Sequence, residues 1–509
     1  MNKSIIRFIL GHIIFIIGLF LLLPALLDVI YGEGVAHCYV AVALPCLILG
    51  GINSRIKPLS NIFYLKEGCF VTGASWVILS ILGALPMWLS KEIPSFVDAM
   101  FESVSGFTTT GASILPDVEA LSHATLFWRS FTHLVGGMGV LVFLLAILPL
   151  AGGSHFNLMK AESPGPSVGK LMPKLKTTAQ VLYLIYLVLC VLEFVILLFT
   201  GMKPFDAINT AMATAGTGGF GIYNSSCGDF SVASQWVITI FMFIFGVNFN
   251  FYYYILFGQA KAAFKMEEVK VYFGLALAST VFIAFNTWHL CDNLFDAFTK
   301  AAFQVTSIQS STGFSTTDFA LWPQSSRCIL VMLMFIGACA GSTGGGMKVS
   351  RFILIAKSVL KELESYIHPR CVRKINMDGK PVEHSIIRSN NVFFGTFIIL
   401  FFISVFLLSF EDLDFSTVFT SVIATMSNIG PGLSMVGPTS NFGFYSNFSK
   451  VILMFDMLAG RLELFPILML FHPTLWIDMA TKRRSKIKNL KNAGKIRIQE
   501  KVDKISNNW

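Results

Sequence analysis

Long apolar runs recur along the chain, and polar or glycine-rich connections separate them. A helix needs about 20 apolar residues to cross the roughly 30 Å of hydrocarbon in a bilayer. Ten runs approach or exceed this length, which predicts ten transmembrane spans. The predicted spans cover residues 5–29, 36–53, 68–89, 124–149, 178–200, 233–258, 270–290, 327–357, 391–410 and 446–473.

Basic residues fall mainly on one side of these predicted spans. Of the 38 Lys and Arg residues, 31 precede an odd-numbered span or lie in the C-terminal tail from Lys482 to Lys504. Cytoplasmic segments of membrane proteins carry such an excess of Lys and Arg. The distribution therefore predicts that both termini are cytoplasmic. The basic tail is of the kind that contacts anionic membrane lipid or docks a regulatory protein.

Composition agrees with a membrane protein and excludes several other classes. Hydrophobic residues make up 54% of the chain and charged residues 13%, whereas soluble domains carry about 25% charged residues. The nine cysteines include no CxxC pair, so neither a disulfide framework nor a zinc site is indicated. The net charge of +9 belongs to the cytoplasmic loops and does not indicate nucleic-acid binding.

Four outer connections share one internal order: an aspartate, a short apolar stretch and a polar core ending in glycine. The apolar stretches are too short to span the bilayer, and an acidic residue at the start of a helix is favoured by the helix dipole. They are therefore predicted to be re-entrant helices. The aspartates are Asp98, Asp206, Asp296 and Asp414, the stretches are Ala99–Phe107, Ala207–Ala215, Ala297–Gln309 and Phe415–Met426, and the cores are Thr108–Gly111, Gly216–Gly219, Ser310–Gly313 and Ser427–Gly430.

The predicted fold class is an all-α polytopic membrane protein. Four tandem units of span, pore helix, filter loop and span would surround a pseudo-fourfold pore, after two extra N-terminal helices. The predicted boundaries are 1–67 for the two-helix preface, 68–160, 161–265, 266–388 and 389–480 for the four repeats, and 481–509 for the cytoplasmic tail.

Irregular backbone at membrane depth is tolerated only where it is buried in protein or lines a water-filled path. Four such loops around one axis would present rings of carbonyl oxygens that replace the hydration shell of a cation. Glycine allows the backbone angles that such a narrow ring requires. The alternative, that the loops are ordinary polar surface turns, does not explain their fourfold recurrence.

Three segments carry a resemblance to a known family. Phe101–Ser113 resembles the first filter, and Ser310–Asp318 the third filter, of the Trk/Ktr/HKT superfamily of potassium transporters. Ala161–Pro166 resembles a cytoplasmic loop of Trk-type bacterial membrane subunits. The similarity extends over nearly the whole chain, including the two-span preface of the Trk branch.

The resemblance implies a potassium-binding filter centred on four glycines, with K⁺ as the transported ion and no bound cofactor. Glycine at position 111, where serine accompanies sodium preference in the superfamily, favours potassium. The implied filter residues are Thr109, Thr110, Gly111, Thr217, Gly218, Gly219, Ser311, Thr312, Gly313, Asn428, Ile429 and Gly430.

A glycine-rich run interrupts the predicted eighth span between Gly337 and Lys348. Each glycine destabilises a helix by about 1 kcal/mol relative to alanine, so the span is expected to break there. A Walker A loop is excluded because Met347 separates Gly346 from Lys348, and a simple packing kink remains an alternative. The resemblance implies instead an intramembrane gate, whose residues would be Gly341, Ser342, Thr343, Gly344, Gly345, Gly346 and Lys348.

Arg461 lies deep in the tenth predicted span. A charge at that depth costs at least about 2.5–3.5 kcal/mol and normally faces a cavity or a partner. One interpretation pairs it with Glu463 or Asp456, although residues two apart on a helix do not face one another. The other, which the resemblance implies, places it in the pore, bonded to carbonyls of the gate.

Further polar residues in or near the spans have less specific interpretations. His133, among glycines of the fourth span, is expected to serve packing, and Glu193 in the fifth span is an isolated carboxylate that is a candidate coupling site. Asp98 and Glu102 would make the outer mouth acidic and concentrate cations, or would simply be solvated loop residues.

The sequence thus favours potassium uptake across the bacterial cytoplasmic membrane. The alternative is a secondary transporter, coupled to protons or sodium, of a cation or another small solute. No enzyme is expected, because the spans lack HExxH, GxSxG and paired aspartates. The resemblance also implies a homodimer and a cytosolic ring of nucleotide-binding regulator-of-conductance domains, supplied by a separate chain.

Overall fold

The computed structural model describes residues 2–58, 64–137, 139, 175–370 and 374–473. The Ala161–Pro166 motif, the second half of the predicted fourth span and the basic tail lie outside these residues. The helices are α1 (Lys3–Phe20), α2 (Leu22–Tyr31), α3 (Ala36–Arg55), α4 (Leu65–Leu89), α5 (Phe96–Phe107), α6 (His123–Gly137), α7 (Leu175–Phe199), α8 (Pro204–Gly216), α9 (Val232–Gly246), α10 (Phe249–Leu256), α11 (Ala260–Ala263), α12 (Glu267–Thr287), α13 (Leu294–Gln309), α14 (Gln324–Ile336), α15 (Val349–Ile367), α16 (His384–Leu408), α17 (Phe415–Met426), α18 (Asn447–Arg461) and α19 (Phe465–Phe471).

Within the described residues, six helical stretches are long and apolar enough to cross a membrane. They correspond to the first, second, third, fifth, seventh and ninth predicted spans. The prediction of an all-α polytopic membrane protein is confirmed. The six stretches are Lys3–Tyr31, Ala36–Arg55, Leu65–Leu89, Gln180–Phe199, Glu267–Leu290 and His384–Glu411.

The sixth and tenth spans, predicted as unbroken, are both broken. Helices α9 and α10 meet at an angle of 91°, because the Asn248 side chain accepts a hydrogen bond from the Asn250 N–H and starts a new helix. Helix α18 ends at Arg461, and Glu463 and Leu464 have positive φ angles of 53° and 65° before α19 begins. The eighth span is interrupted between α14 and α15.

Four short helices (α5, α8, α13 and α17), termed the pore helices, pack in a cyclic order. Each contacts the helix that follows it in the chain and also a helix of the preceding unit. Thus α8 packs on α6, α13 on α9, α17 on α14, and α5 closes the circle by packing on α18. The arrangement brings the C-terminal ends of all four pore helices together.

The N-terminal pair of helices packs on the outside of this ring through small residues. A Cβ atom on Gly18 of α1 would lie 2.9 Å from the Cβ of Cys46 in α3, and one on Gly11 would lie 2.7 Å from that of Asn53. Small residues at such contacts let membrane helices approach closely. Helices α1 and α2 in turn contact α4 and α6, which attaches the preface to the first unit.

One small departure from the all-helical prediction lies between α15 and α16. Strands β1 (Asn376–Met377) and β2 (Lys380–Pro381) form an antiparallel hairpin. Its turn residues Asp378 and Gly379 have positive φ angles of 53° and 76°, as an Asp-Gly hairpin turn requires. The hairpin follows from the local Asp-Gly turn sequence. Hydrophobic periodicity alone does not predict it.

Candidate functional site

The four pore helices end in the same way. In each, the N–H of the residue before the filter glycine donates to a carbonyl five residues earlier, and the preceding N–H donates to a carbonyl three residues earlier. This pair of bonds is the Schellman motif of helix C-termini. The longer bonds are Thr110 to Ser105 (2.9 Å), Gly218 to Ala213 (2.9 Å), Thr312 to Ser307 (2.8 Å) and Ile429 to Ala424 (2.8 Å).

The motif requires a residue in the left-handed backbone conformation. Each of the four loops that follow the pore helices has two such residues. The loops are termed filter loops 1 to 4 and are Thr108–Gly111, Gly216–Gly219, Ser310–Gly313 and Ser427–Gly430. One is the residue two before the filter glycine and the other is the glycine itself. Non-glycine residues adopt this conformation uncommonly, so its recurrence at four equivalent places indicates one shared design. The angles are 54° and 78° for Thr109 and Gly111, 51° and 74° for Thr217 and Gly219, 60° and 87° for Ser311 and Gly313, and 53° and 96° for Asn428 and Gly430.

The filter glycines interlock in a closed ring. A Cβ atom on Gly111 would collide with the carbonyl oxygen of Gly218 in loop 2, one on Gly219 with that of Thr312, and one on Gly313 with that of Ile429. A Cβ atom on Gly430 would lie 2.7 Å from the carbonyl oxygen of Thr110, which returns to loop 1. Each glycine therefore makes room for the carbonyl of the next loop.

These four carbonyl oxygens belong to residues that are buried. Among the described residues, no donor reaches the carbonyls of Thr110, Gly218, Thr312 or Ile429, and these residues are buried. Buried backbone carbonyls are nearly always paired with a donor. An oxygen ring without donors is suited to a hard monovalent cation, which such carbonyls coordinate in place of water.

In each filter loop, one non-glycine residue has a left-handed backbone conformation, and the side chains of these four residues have different hydrogen-bond partners. Among the described residues, no partner reaches the Thr109 hydroxyl, and the Thr217 hydroxyl donates to the carbonyl of Gly216. The Ser311 hydroxyl accepts from the N–H of Gly345 at 2.5 Å, and the Asn428 amide donates to Thr110 at 2.9 Å. The ring is fourfold in its backbone only.

The glycine-rich segment Gly337–Lys348, termed the intramembrane loop, lies against the ends of pore helices α13 and α17. A Cβ atom on Gly344 would lie 2.6 Å from the carbonyl oxygen of Ser310, and one on Gly345 would collide with that of Ser427. Positive φ angles at Gly341 (69°), Gly346 (75°) and Lys348 (73°) turn the chain back on itself. The loop therefore packs directly beneath filter loops 3 and 4.

The broken sixth span also holds the intramembrane loop. The N–H of Phe249 donates to the carbonyl of Gly341, and that of Cys339 donates to the carbonyl of Gly246, each at 3.0 Å. The hydroxyl of Thr343 donates to the carbonyl of Phe245 at 3.2 Å. The apolar pattern predicts an unbroken sixth span, so this contact is not predictable from the pattern.

Arg461 bridges two elements beneath the filter. One of its terminal nitrogens donates to the carbonyl of Thr343 at 2.8 Å, and the other donates to those of Gly136 and Gly137 at the end of α6. Neither intrahelical pairing holds in the structure. Glu463 pairs with Arg351 at 2.6 Å, and Asp456 accepts from Ser404 at 2.8 Å.

Lys348 is buried within the loop, with 3% of its surface exposed. Its ammonium group donates to the carbonyl of Gly344 four residues earlier. The side chain thus closes the second half of the intramembrane loop on itself. Of the sequence-predicted gate residues, Thr343, Gly344, Gly345 and Lys348 lie together at the filter end, whereas Gly341 is exposed.

A buried ion pair behind loops 1 and 2 was not predicted. Arg129 donates to Glu102 at 2.8 Å, and the two side chains are 3% and 0% exposed. Glu102 also accepts from the N–H of Ile114 at 3.2 Å, just beyond loop 1. Arg129 donates to the carbonyl of Gly221, just beyond loop 2, at 3.2 Å. The interpretation of Glu102 as a residue of the acidic mouth is therefore wrong.

His133 joins the same two loops, in addition to packing. One ring nitrogen lies 2.8 Å from the carbonyl oxygen of Gly106, and the other accepts from the N–H of Phe220 at 3.3 Å. A carbonyl only accepts and an amide N–H only donates. The ring is therefore neutral, with its proton on Nδ1.

At its N-terminal end, each pore helix carries an acidic residue in its first turn or at its N-cap. Asp414 caps α17 by accepting from the N–H of Thr417 at 3.0 Å. Partial burial acts to raise the pKa of Asp414, but the hydrogen bonds from Thr417 hold it below its usual value. Asp98, at the start of α5, pairs with Lys450 of α18 at 2.6 Å. These contacts fix the outer ends of α17 and α5.

Comparison with known proteins gives one consistent result. The family model of TrkH, described as a cation transport protein, matches residues 46–281 and 289–480. The Trk system potassium uptake protein TrkH of Salmonella typhimurium is 35% identical over 487 residues, which are 94% of this chain and 100% of the relative. The Trk system potassium uptake protein TrkG of Escherichia coli is 30% identical over 485 residues, again 94% and 100%.

A solved structure agrees with these sequence relatives. The crystal structure of the potassium transporter TrkH from Vibrio parahaemolyticus matches with a TM-score of 0.83 and 31% sequence identity. The match covers 94% of this chain and 100% of the other. Similarity in sequence and in fold therefore extends over the same large share of the molecule.

Proposed function

The chain belongs to the TrkH family of cation transport proteins, and from that membership we propose that it takes up potassium through the ring of four filter loops. The family is one of transport proteins, so the chain is not an enzyme, as predicted. The observation that carries the proposal is the ring of buried carbonyls at Thr110, Gly218, Thr312 and Ile429, which no described donor reaches. A dehydrated K⁺ ion would take these oxygens in place of its water shell.

The intramembrane loop is the proposed gate. Its contacts with the ends of α13 and α17 and its bond to Arg461 support a blocking position below the filter. The Arg461 charge adds an electrostatic barrier to a passing cation. Opening would require Thr343 to part from Arg461 and Gly345 to part from Ser311.

Orientation and partners extend the proposal. The basic residues of the loops and tail support cytoplasmic termini in a bacterial cytoplasmic membrane, with the tail at the lipid surface. Relatives belong to a Trk system, which supports regulation by a separate cytosolic ring of nucleotide-binding domains that contacts the cytoplasmic face. Two copies of the chain would form a homodimer, each with its own pore.

A coupled transporter is the second candidate, and Glu193 favours it. This carboxylate is fully buried in α7. Its polar neighbour, the Thr214 hydroxyl, donates to the carbonyl of Thr210 at 2.8 Å. An ionisable group without a strong partner inside a membrane protein marks a proton or ion pathway in many transporters. Symport with protons or sodium would use such a group.

Flux measurements test the proposal. Proteoliposomes containing the full chain are given a membrane voltage, and influx of K⁺, Rb⁺, Na⁺ and Li⁺ is compared with and without the cytosolic ring. The expected result is passive influx that favours K⁺ and Rb⁺. Equal influx of Na⁺ and K⁺ would contradict the proposed filter. Influx driven by a pH or Na⁺ gradient at zero voltage, and lost in Glu193→Gln, would favour the coupled transporter.

A further inference from the structure

Glu268, the second residue of α12, reaches both ends of the intramembrane loop with a single oxygen. Its Oε1 atom accepts from the N–H of Ala340 at 2.6 Å and from the N–H of Ser350 at 3.1 Å. Its Oε2 atom accepts from the side-chain amide of Asn248 at 3.4 Å. Only 4% of the Glu268 side chain is exposed.

The positions of these donors define the stem of the loop. Ala340 leads into the segment that packs beneath the filter, and Ser350 is the second residue of α15, directly after that segment. A backbone bond from the N–H of Val349 to the carbonyl of Ala338, at 3.0 Å, lies beside them. The two segments that form the stem, one entering the loop and one leaving it, thus lie side by side, and Glu268 of the adjacent helix α12 bonds to both.

The N–H groups of Ala340 and Ser350 have no other described acceptor. Ser350 belongs to the first turn of α15, where backbone N–H groups lack helical partners. A buried N–H without an acceptor is destabilising. Glu268 supplies the acceptor for both, and the negative charge also suits the N-terminal end of α15.

We propose that Glu268 is a positioning residue of the gate, which pins the stem of the intramembrane loop so that Gly341–Lys348 stays beneath the filter. This inference rests on the proposed function of that loop. Among the described residues, few bonds hold the tip to its surroundings: those of Arg461 and Ser311, that of the Thr343 hydroxyl to Phe245, and the backbone bond from Phe249 to Gly341. Without the bonds to Glu268, the stem would have more conformations available. Placing the loop beneath the filter would then cost more conformational entropy.

The neighbouring residue Glu267 provides a matched control. It pairs with Lys357 of α15 at 2.6 Å, and its N–H donates to Asp378 at 2.7 Å. Glu267 therefore connects α12 to α15 and to the hairpin. Unlike Glu268, it makes no described bond to the intramembrane loop. Substitution of Glu267 separates loss of helix attachment from loss of the stem anchor.

Three substitutions of Glu268 distinguish the acceptor from the charge. Glu268→Gln keeps an oxygen at the same reach without the charge, and Glu268→Asp keeps the charge but retracts it by one methylene. Glu268→Ala removes both. The stem anchor predicts that the Gln variant behaves like wild type, whereas the Asp and Ala variants leak.

The experiment measures Rb⁺ influx into proteoliposomes without the cytosolic ring. Influx is divided by the amount of folded protein, which is determined by size-exclusion chromatography. We expect influx to rise roughly tenfold or more in Glu268→Ala, because two buried N–H groups, those of Ala340 and Ser350, lose their shared oxygen acceptor. It should rise similarly in Glu268→Asp and stay unchanged in Glu268→Gln and Glu267→Ala. The order of K⁺, Rb⁺ and Na⁺ should not change, because the filter is untouched.

Unchanged or lower influx in both Glu268→Ala and Glu268→Asp, with Arg461→Ala raised in the same assay, would overturn the inference and leave the proposed gate standing. Failure of every variant, Arg461→Ala included, to conduct with or without the ring would contradict the proposed function instead. If Glu268→Ala does not fold, Glu268→Asp and Glu268→Gln decide the question. Equal influx in those two would overturn the anchor.

Discussion

The side-chain amide of Asn428 in filter loop 4 donates a 2.9 Å hydrogen bond to the hydroxyl of Thr110 in loop 1. The two residues are 318 positions apart in the chain. They meet at the loosest junction of the glycine ring, where a Cβ atom on Gly430 would still lie 2.7 Å from the nearest carbonyl oxygen. A side-chain bond therefore joins the one pair of loops that backbone packing joins least tightly.

Asn428→Ala should weaken this junction and reduce the preference for K⁺ over Na⁺. The variant loses the bond to Thr110 and a second one to the carbonyl of Met457 at 2.9 Å. Each is worth about 0.5–1.5 kcal/mol, and only the bond to Thr110 joins two filter loops, so the loss of that one bond predicts a drop of roughly two- to tenfold in the K⁺/Na⁺ influx ratio. Asn391→Ala, at an exposed position of α16, is the control. An unaltered ratio in Asn428→Ala would show that backbone packing alone closes the ring.

The filter glycines should differ in their tolerance of a methyl group. Gly219→Ala and Gly313→Ala place a Cβ atom in collision with the next carbonyl and force an unfavourable positive φ. Loss of K⁺ preference is expected in both. Gly430→Ala meets its carbonyl at 2.7 Å and should retain more of the preference. Comparison of K⁺ and Na⁺ influx in the three variants tests this order.

Gly395 of α16 serves as the reference for the glycine series. A Cβ atom there would meet nothing within 4 Å, so Gly395→Ala should leave influx and its cation order unchanged. An equal loss of K⁺ preference in Gly430→Ala and Gly313→Ala would contradict the prediction that loops 4 and 1 pack less tightly than loops 3 and 4.

Arg461→Ala should raise cation influx in the absence of the cytosolic ring. The substitution removes the bond to Thr343 and the attachment of the loop to Gly136 and Gly137. Arg461→Lys should also raise it, because a single ammonium group does not present the fork that reaches two directions at once. Tracer influx in proteoliposomes measures both.

Lys450→Ala is the matched control on the same helix. It removes the ion pair with Asp98 at the outer end of α18 but no contact with the intramembrane loop. Influx in this variant should equal that of wild type. If Arg461→Ala conducts no more than Lys450→Ala, Arg461 does not hold the loop shut.

The buried pair of Glu102 and Arg129 should show strong coupling. Removing one partner of a buried ion pair costs about 3–5 kcal/mol, because the other charge is left without compensation. Glu102→Gln and Arg129→Gln should each lower the thermal unfolding temperature in detergent, and the double variant should lose less than the sum of the two. Strict additivity would mean that the two charges are stabilised by other groups.

Much of the candidate site could be predicted from local pattern. The C-terminal ends of the pore helices fall within one residue of the predicted ones, because glycine and hydroxyl residues end the apolar stretch at the same place where the backbone turns left-handed. Both signals are local in the chain. Helix starts were predicted about three residues late for the first three, since polar caps such as Ser95 and Asn293 precede the aspartates.

The contacts around the gate could not be predicted in this way. In the apolar run from Val232 to Leu256, the bend is marked only by Gly246, Asn248 and Asn250, and the run is otherwise long enough to read as one span. Glu268 follows Glu267 at the N-terminal end of a span, a place where charged residues are ordinary. Only the folded arrangement shows that one of the two faces water and Lys357 while the other faces the loop.

Because all four filter loops belong to one polypeptide, a mutation alters a single quarter of the ring. In a ring of identical subunits the same change would appear four times and multiply its effect. A gene of this kind can therefore change one loop at a time, and positions 109, 217, 311 and 428 already carry Thr, Thr, Ser and Asn. Each quarter can therefore acquire contacts of its own, as Asn428 does with Thr110 and Ser311 does with Gly345, while the backbone of the other three loops stays the same.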